Sequence, residues 1–207
     1  MNKIKTIIFD WDGTIVDSLE LKHDVWFDIF PKHTKAYFAM QKLLPELKTS
    51  TRLQILGKVF DIVGDELPKG EFVSKYSSVY RNEVEKGILR NGFLPGAKEA
   101  LENLSLNFPL YVNSATPHEP LLSIVEKIGA DKYFKKIYGR SLAQENHTQH
   151  DLKVENLREI SEIENIKSDE ILMVGDAEAD ERAAKIFGCR FFKVDSNINL
   201  EGLKLVL

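Results

Sequence analysis

The feature that most constrains this chain is a short apolar run, Thr6-Ile7-Ile8-Phe9, that stops abruptly on Asp10-Trp11-Asp12-Gly13-Thr14. A run this short, rich in β-branched residues and bounded by Asp and Gly, reads as a buried strand. Side chains alternate along an extended chain, so Asp10 and Asp12 share one side, and Gly13 permits a sharp turn beside them. An open α/β sheet places its chemistry just beyond the carboxyl ends of its strands. Two acids on one side repel unless a cation lies between them. The pair therefore reads as a nucleophile beside a hard metal ion, with a second acid free for proton transfer. The competing reading is that one of them merely caps a following helix.

Composition excludes several classes. The 207 residues, 43% hydrophobic and 29% charged, suit one well-buried globular domain or a core domain carrying a smaller insertion. A net charge of −4 without a basic block gives no support for a nucleic-acid partner. No stretch approaches the roughly 20 apolar residues of a membrane helix, and the start Met-Asn-Lys-Ile-Lys lacks a signal segment, so the expectation is a cytoplasmic protein with no membrane partner. The single cysteine, Cys189, cannot form an internal disulfide; between Gly188 and Phe191-Phe192 it reads as a packed residue. Monomer and homodimer are left equally open.

In chain order, Asp17-Ser18 caps a helix with Leu21, Val25, Trp26 and Ile29 at helical spacing, which Pro31 ends. Residues 33–48 look helical but weakly patterned. Leu53, Leu56, Val59, Phe60 and Val63 form a cleaner amphipathic face closed by Gly64, and a further helix spans about 71–88. From Pro95 the pattern becomes alternating. A helix with Ala97, Leu101 and Leu104 precedes a strand at Phe108–Val112; Leu122, Val125 and Ile128 mark the next helix, stopped by Gly129. A short strand at Lys136–Gly139, a helix with Val154, Leu157, Ile160 and Ile163, a strand at Ile171–Val174, a helix to Phe187 and a strand at Arg190–Val194 follow. This predicts a Rossmann-like parallel sheet with helices on both faces, built from residues 1–16 and 92–207, with residues 17–91 inserted as a helical cap that closes over the site as a lid.

Three later segments carry chemistry. Val112 leads into Asn113-Ser114-Ala115-Thr116-Pro117, donors placed where a helix begins, which suits an oxyanion or is an ordinary helix cap. Gly175-Asp176-Ala177-Glu178-Ala179-Asp180 puts Asp176 at a strand end and Asp180 four residues on, facing the same way if the helix starts between them; Glu178 points elsewhere. With Asp10 these give three carboxylates able to converge on an octahedral Mg²⁺. Lys153 enters a helix from a polar connection, where it pairs with a phosphate and with Asp10 or is simply solvated; Lys135 and Lys136 are weaker candidates. The histidines, His118, His147 and His150 among them, show no metal-ligand spacing.

These four segments, in this order, resemble the haloacid dehalogenase superfamily of phosphohydrolases across the whole chain. The resemblance implies that Asp10 attacks phosphorus to form an aspartyl-phosphate, while Asp12 protonates the leaving alcohol and then activates water. It implies Mg²⁺ held by Asp10, the Asp12 carbonyl and Asp176, supported by Asp180, and substrate contacts from Thr14, Ser114, Ala115 and Lys153. Asp12 argues against the dehalogenases and phosphonoacetaldehyde hydrolases of that superfamily, which lack an acid there. Two departures stand out: Val154 follows Lys153 where many relatives have Pro, and Asn113-Ser114-Ala115-Thr116 is more similar to the second motif of the sugar-phosphate mutase branch than to that of phosphoglycolate phosphatases. At the position of that branch's cap histidine this chain has Lys22, with His23 one residue away, which favours hydrolysis. The expected substrate is a small phosphorylated metabolite of the phosphoglycolate or sugar-phosphate type; Arg52, Lys58, Lys75 and Arg81 are cap cations that either reach its carboxylate or hydroxyl groups or are simply solvated on helix faces. A mutase of the β-phosphoglucomutase type and a non-catalytic phospho-ligand-binding protein are the alternatives.

Overall fold

A computed structural model describes residues 3–46, 50–144, 146–194, 200 and 203. It divides into two compact units, Met1–Asp17 with Asn91–Leu207, and Ser18–Arg90.

The first unit is built on a five-stranded parallel sheet. Its strands are β1 (Thr6–Phe9), β2 (Leu110–Pro117), β3 (Lys136–Arg140), β4 (Ile171–Gly175) and β5 (Arg190–Lys193), in the order β3-β2-β1-β4-β5. β1 lies at the centre, with Ile8 opposite Tyr111 on one side and Met173 on the other. Every residue of β1 and β4 is buried, as expected when both faces of a parallel sheet are covered. Ile8, Met173 and Ile171 pack on one face against Val154, Leu157 and Ile160 of the helix Gln149–Glu164 and Ala183 and Ala184 of the helix Glu178–Phe187. Alternation turns Phe9 to the other face, where it meets Phe134 edge-on at 6.4 Å between ring centroids. The helices Ala97–Leu104 and His118–Lys127 belong to this unit and bury Leu101, Leu121 and Val125.

The second unit holds four helices among the described residues: α1 (Leu19–Asp28), α2 (Lys35–Leu43), α3 (Arg52–Val63) and α4 (Lys69–Asn91, whose last residue joins the first unit). Continuing in chain order, Ala97–Leu104 is α5, His118–Lys127 α6, Gln149–Glu164 α7 and Glu178–Phe187 α8. Phe72 is the hub of the second unit, with ring centroids of Phe30, Phe60 and Tyr76 at 6.3, 5.4 and 4.6 Å. α3 starts on a reciprocal cap between Thr51 and Gln54 and ends at Gly64, whose φ of 63° a side chain would strain. No described helix is long and apolar enough to cross a membrane.

Several boundaries differ from expectation. β2 runs on through Asn113, Ser114, Ala115 and Thr116 to Pro117, so those residues lie in a strand and Ser114 is not a helix cap. In α3 Leu53 is 45% exposed and Ile55 takes its place inside; Ile163, at the last turn of α7, is also exposed. The weakly patterned stretch 33–48 yields α2 and a 3₁₀ turn at Leu44–Glu46, and Leu47 and Lys48 lie outside the described residues.

Candidate active site

β1 delivers Asp10 to the middle of the sheet's carboxyl edge, its backbone N–H donating to the Val174 carbonyl at 2.8 Å. The chain then turns through Gly13 at φ 74°, with the Ile15 N–H returning to the Trp11 carbonyl at 2.9 Å. That turn buries Thr14, whose hydroxyl donates to Asp176 Oδ1 at 3.0 Å. β4 ends on Gly175, and α8 starts between Asp176 and Asp180. Asp180 is fully buried: its Oδ2 accepts the Ala177 N–H at 3.1 Å and its Oδ1 accepts from Lys153 Nζ. A Cβ on Gly175 would fall 2.4 Å from Asp180 Oδ2, so the carboxylate can sit there only beside glycine.

Lys153, 2% exposed in the second turn of α7, places Nζ 2.8 Å from Asp10 Oδ1 while also bonding Asp180. Its carbonyl accepts from Asn113 Nδ2 at 2.9 Å, and Asn113 Oδ1 accepts from Asn156 at 2.8 Å. A buried amide ladder thus ties β2 to the helix that carries the lysine. One carboxylate oxygen from each of Asp10, Asp176 and Asp180 lies within 4.8 Å of the others. Burial is the main force on Asp10 and pushes it up to about 7, Lys153 opposing and Asp180 and Asp12 adding to the rise. Burial likewise raises Asp176 and Asp180. It would lower Lys153, but Asp10 and Asp180 outweigh it and hold the ammonium protonated. Three carboxyls share one ammonium, which leaves an excess of negative charge among hard oxygen donors. This donor set fits a hard divalent cation.

Asp12 stands half-buried beside this cluster, and its Oδ2 accepts from the Thr116 hydroxyl at 2.6 Å. Ser114 is buried with Oγ accepting the Thr116 N–H at 3.1 Å, which leaves its O–H to point elsewhere; Ala115 is half-buried and its carbonyl accepts from Arg140 Nε at 3.4 Å.

Other candidates stand apart from the cluster. Lys135 and Lys136 pair with Glu164 and Glu159 at 2.8 and 2.7 Å at the amino end of β3. His147 and His150 face Glu155 and Asp151, and His118 Nδ1 accepts the Gly139 N–H. Glu178 is exposed. Cys189 packs against the apolar cluster, and burial pushes its thiol up to about 12, which fits a packed residue. In the helical unit Lys58, Lys75 and Arg81 are exposed, while Arg52 is half-buried over the Tyr80 ring at 5.5 Å. Lys22 and His23 line a cavity of about 450 Å³ with Trp26 and Tyr80. Asn113 and Thr116 lie in the segment that reads as oxyanion donors or a helix cap, but the Thr116 bond to Asp12 and the Asn113–Asn156 pair have no signal in the sequence.

A parallel sheet with buried acids and one buried lysine at its carboxyl edge defines an α/β enzyme whose chemistry is carried by strand ends. The chain belongs to the haloacid dehalogenase-like hydrolases, whose family model matches residues 4–188. It is 24% identical over 186 residues to the phosphoglycolate phosphatase of Rhodobacter capsulatus, covering 89% of this chain and 81% of that one. Among solved structures, a candidate β-phosphoglucomutase from Thermotoga maritima superposes with a TM-score of 0.73 at 17% identity, over 99% of this chain and 100% of its own. A candidate HAD-hydrolase, YfnB of Bacillus subtilis, described as bound to magnesium, gives 0.72 at 19% identity over 100% and 99%. At these identities the two structures speak for the fold.

Proposed function

We propose that this hydrolase is a Mg²⁺-dependent phosphatase acting on a small phosphomonoester of the phosphoglycolate or sugar-phosphate type through an aspartyl-phosphate. The observation that carries the reading is the buried Lys153 ammonium between Asp10 and Asp180, with Asp176 completing the acidic triad. Asp10 attacks phosphorus as the bond to the leaving oxygen breaks, and Asp12 delivers a proton to that oxygen. Asp12 then takes a proton from the water that attacks the acyl phosphate, releasing phosphate and restoring Asp10. Lys153 keeps Asp10 oriented and, with the Ser114 hydroxyl and groups near Thr14 and Ala115, meets the charge of the transferring phosphoryl group. Mg²⁺ would be held by Asp10, Asp176 and the Asp12 carbonyl, with Asp180 bracing the set through Lys153 and the Ala177 N–H. When bound, it neutralises the excess carboxylate charge and that of the incoming phosphate.

The test is release of nitrophenolate from para-nitrophenyl phosphate with Mg²⁺ or EDTA, by wild type and Asp10→Asn. Metal-dependent turnover that the variant loses is the expected result. Turnover unaffected by EDTA, or retained by the variant, would overturn the reading. Transfer of phosphate between positions of a sugar phosphate, with little free phosphate released, would point instead to a mutase.

A further inference from the structure

The register of the sheet breaks beside the site in a way the proposed chemistry leaves unexplained. Asn113 pairs with Tyr138 and Pro117 with Arg140, so β2 advances four residues while β3 advances two. The surplus is a bulge at Ser114, Ala115 and Thr116. Bulges of this kind re-aim side chains and cluster beside active sites.

This bulge is held from several directions. Arg140 clamps it from β3, with Nε on the Ala115 carbonyl at 3.4 Å and a terminal nitrogen on the Gln144 and His147 carbonyls at 2.8 Å each. The Thr116 N–H folds back to Ser114 Oγ. β3 makes room with Gly139, where a Cβ would lie 2.6 Å from His118 Cα and 2.8 Å from the Thr116 carbonyl. The outcome of these constraints is one contact: the Thr116 hydroxyl, 2.6 Å from Asp12 Oδ2.

We propose that Thr116 is a positioning residue for the acid–base carboxyl, its hydroxyl donating to Asp12 Oδ2 and so fixing the rotation of that carboxyl. This deepens the phosphatase reading and rests on it. A hydroxyl that donates to one carboxylate oxygen fixes the rotation of the group and with it the direction in which the other oxygen faces. Proton transfer to the leaving group depends on that placement, since misplacement of about 1 Å costs up to about 10²-fold. In this role Thr116 acts through Asp12.

Leaving groups separate this role from a structural one. para-Nitrophenolate departs without a proton, whereas the far more basic phenolate needs one. kcat/KM for phenyl phosphate and for para-nitrophenyl phosphate is measured for wild type, Thr116→Val, Thr116→Ser and Asp12→Asn, with the Mg²⁺-induced rise in Tm as the check on folding. The expected result for Thr116→Val is a fall of about tenfold or more in the phenyl-to-nitrophenyl ratio, within the range available to general acid catalysis. Thr116→Ser restores the ratio to within about threefold, because only the hydroxyl is required. Gly139→Ala, which forces the bulge to move while leaving Thr116 in place, lowers the ratio as well and stands in if the valine variant does not fold. Equal losses on both substrates, or none, in Thr116→Val while Asp12→Asn loses the phenyl ester selectively would overturn the role of Thr116 alone. An Asp12→Asn variant without a selective loss would remove the acid itself, and this proposal with it.

Discussion

The two units handle charge in opposite ways. In the sheet unit Asp10, Lys153 and Asp180 are 5%, 2% and 0% exposed, and the lysine is ion-paired with both acids. In the helical unit the ion pairs Lys69–Asp61 and Lys86–Glu83 lie on the surface, and the interior is a stack of rings around Phe72. Aromatic burial stabilises directly, whereas desolvating a charged pair costs more than its attraction returns unless every lone pair and proton is engaged. Apart from the Arg52 guanidinium, whose Nε is buried without a hydrogen-bond partner beside the Tyr80 ring, the helical unit's core therefore needs no explanation beyond folding. The sheet unit carries buried charge that stability alone would not select, which is the mark of a working site.

Removing one of those charges is the strongest way to break the contrast. Asp10→Asn should reduce phosphatase turnover by at least about 10⁴-fold, the scale of losing a nucleophile. It should also stabilise the cation-free protein. The Asp10 carboxyl ordinarily titrates at 3.8 and is pushed up to about 7 in the fold. An acid raised in this way makes stability fall as pH rises between those two values, because the unfolded chain ionises first. In EDTA, the variant's Tm should exceed that of wild type at pH 8, and the gap should close as the pH falls toward 4. Added Mg²⁺ should raise the wild-type Tm at pH 8 and leave that of the variant nearly unchanged. A variant less stable than wild type under EDTA at pH 8 would show that the buried charge is stabilising and that the two units do not differ as argued.

The contrast also accounts for what could be read from the chain. β1 and β4 are continuous apolar runs, and a centrally buried parallel strand has no other sequence form. Asp10, Asp176 and Asp180 follow those runs directly, so their convergence needed only the assumption of one sheet. Thr116 was hidden because Asn113-Ser114-Ala115-Thr116-Pro117 has the local composition of a loop and cap. Its extended form is imposed by pairing with β3, whose partners lie 23 to 25 residues further along the chain, and by a bulge that no local propensity signals. Lys153 had little local signal for the same reason, since its position is fixed by Asn113 of β2, which bonds both the Lys153 carbonyl and Asn156 of the same helix. In the helical unit the exchange of Leu53 for Ile55 on the buried face of α3 reflects a repeat that several helix rotations satisfy almost equally.

A second substitution sharpens the comparison from the cation's side. Lys153→Met keeps much of the side chain's length but strands Asp10 and Asp180 with no ammonium. Truncating one member of a buried ionic cluster costs about 3 to 5 kcal/mol. Urea unfolding at pH 8 in EDTA should show a loss near the lower end, because the raised carboxyls can take up protons in response. The loss should shrink as the pH falls and those carboxyls become neutral. A pH-independent loss of the same size would assign the effect to packing around the methionine and not to charge.

The smallest effect belongs to the helical unit. Lys69 Nζ lies 2.6 and 2.8 Å from the two oxygens of Asp61, a closer approach than Lys153 makes to Asp10. Distance alone would rank it above the Lys153–Asp10 pair. Both side chains are at least half exposed, however, at 50% and 59%, so water and salt screen the attraction and holding the two side chains together costs rotamer entropy. Lys69→Met should change stability by about 0.2 to 1 kcal/mol, with the difference fading in high salt. The Lys153→Met loss should persist in the same salt, because its surroundings admit little solvent. If Lys69→Met instead cost as much as Lys153→Met, exposure would not be what separates the two units, and the buried cluster would lose its claim to be exceptional.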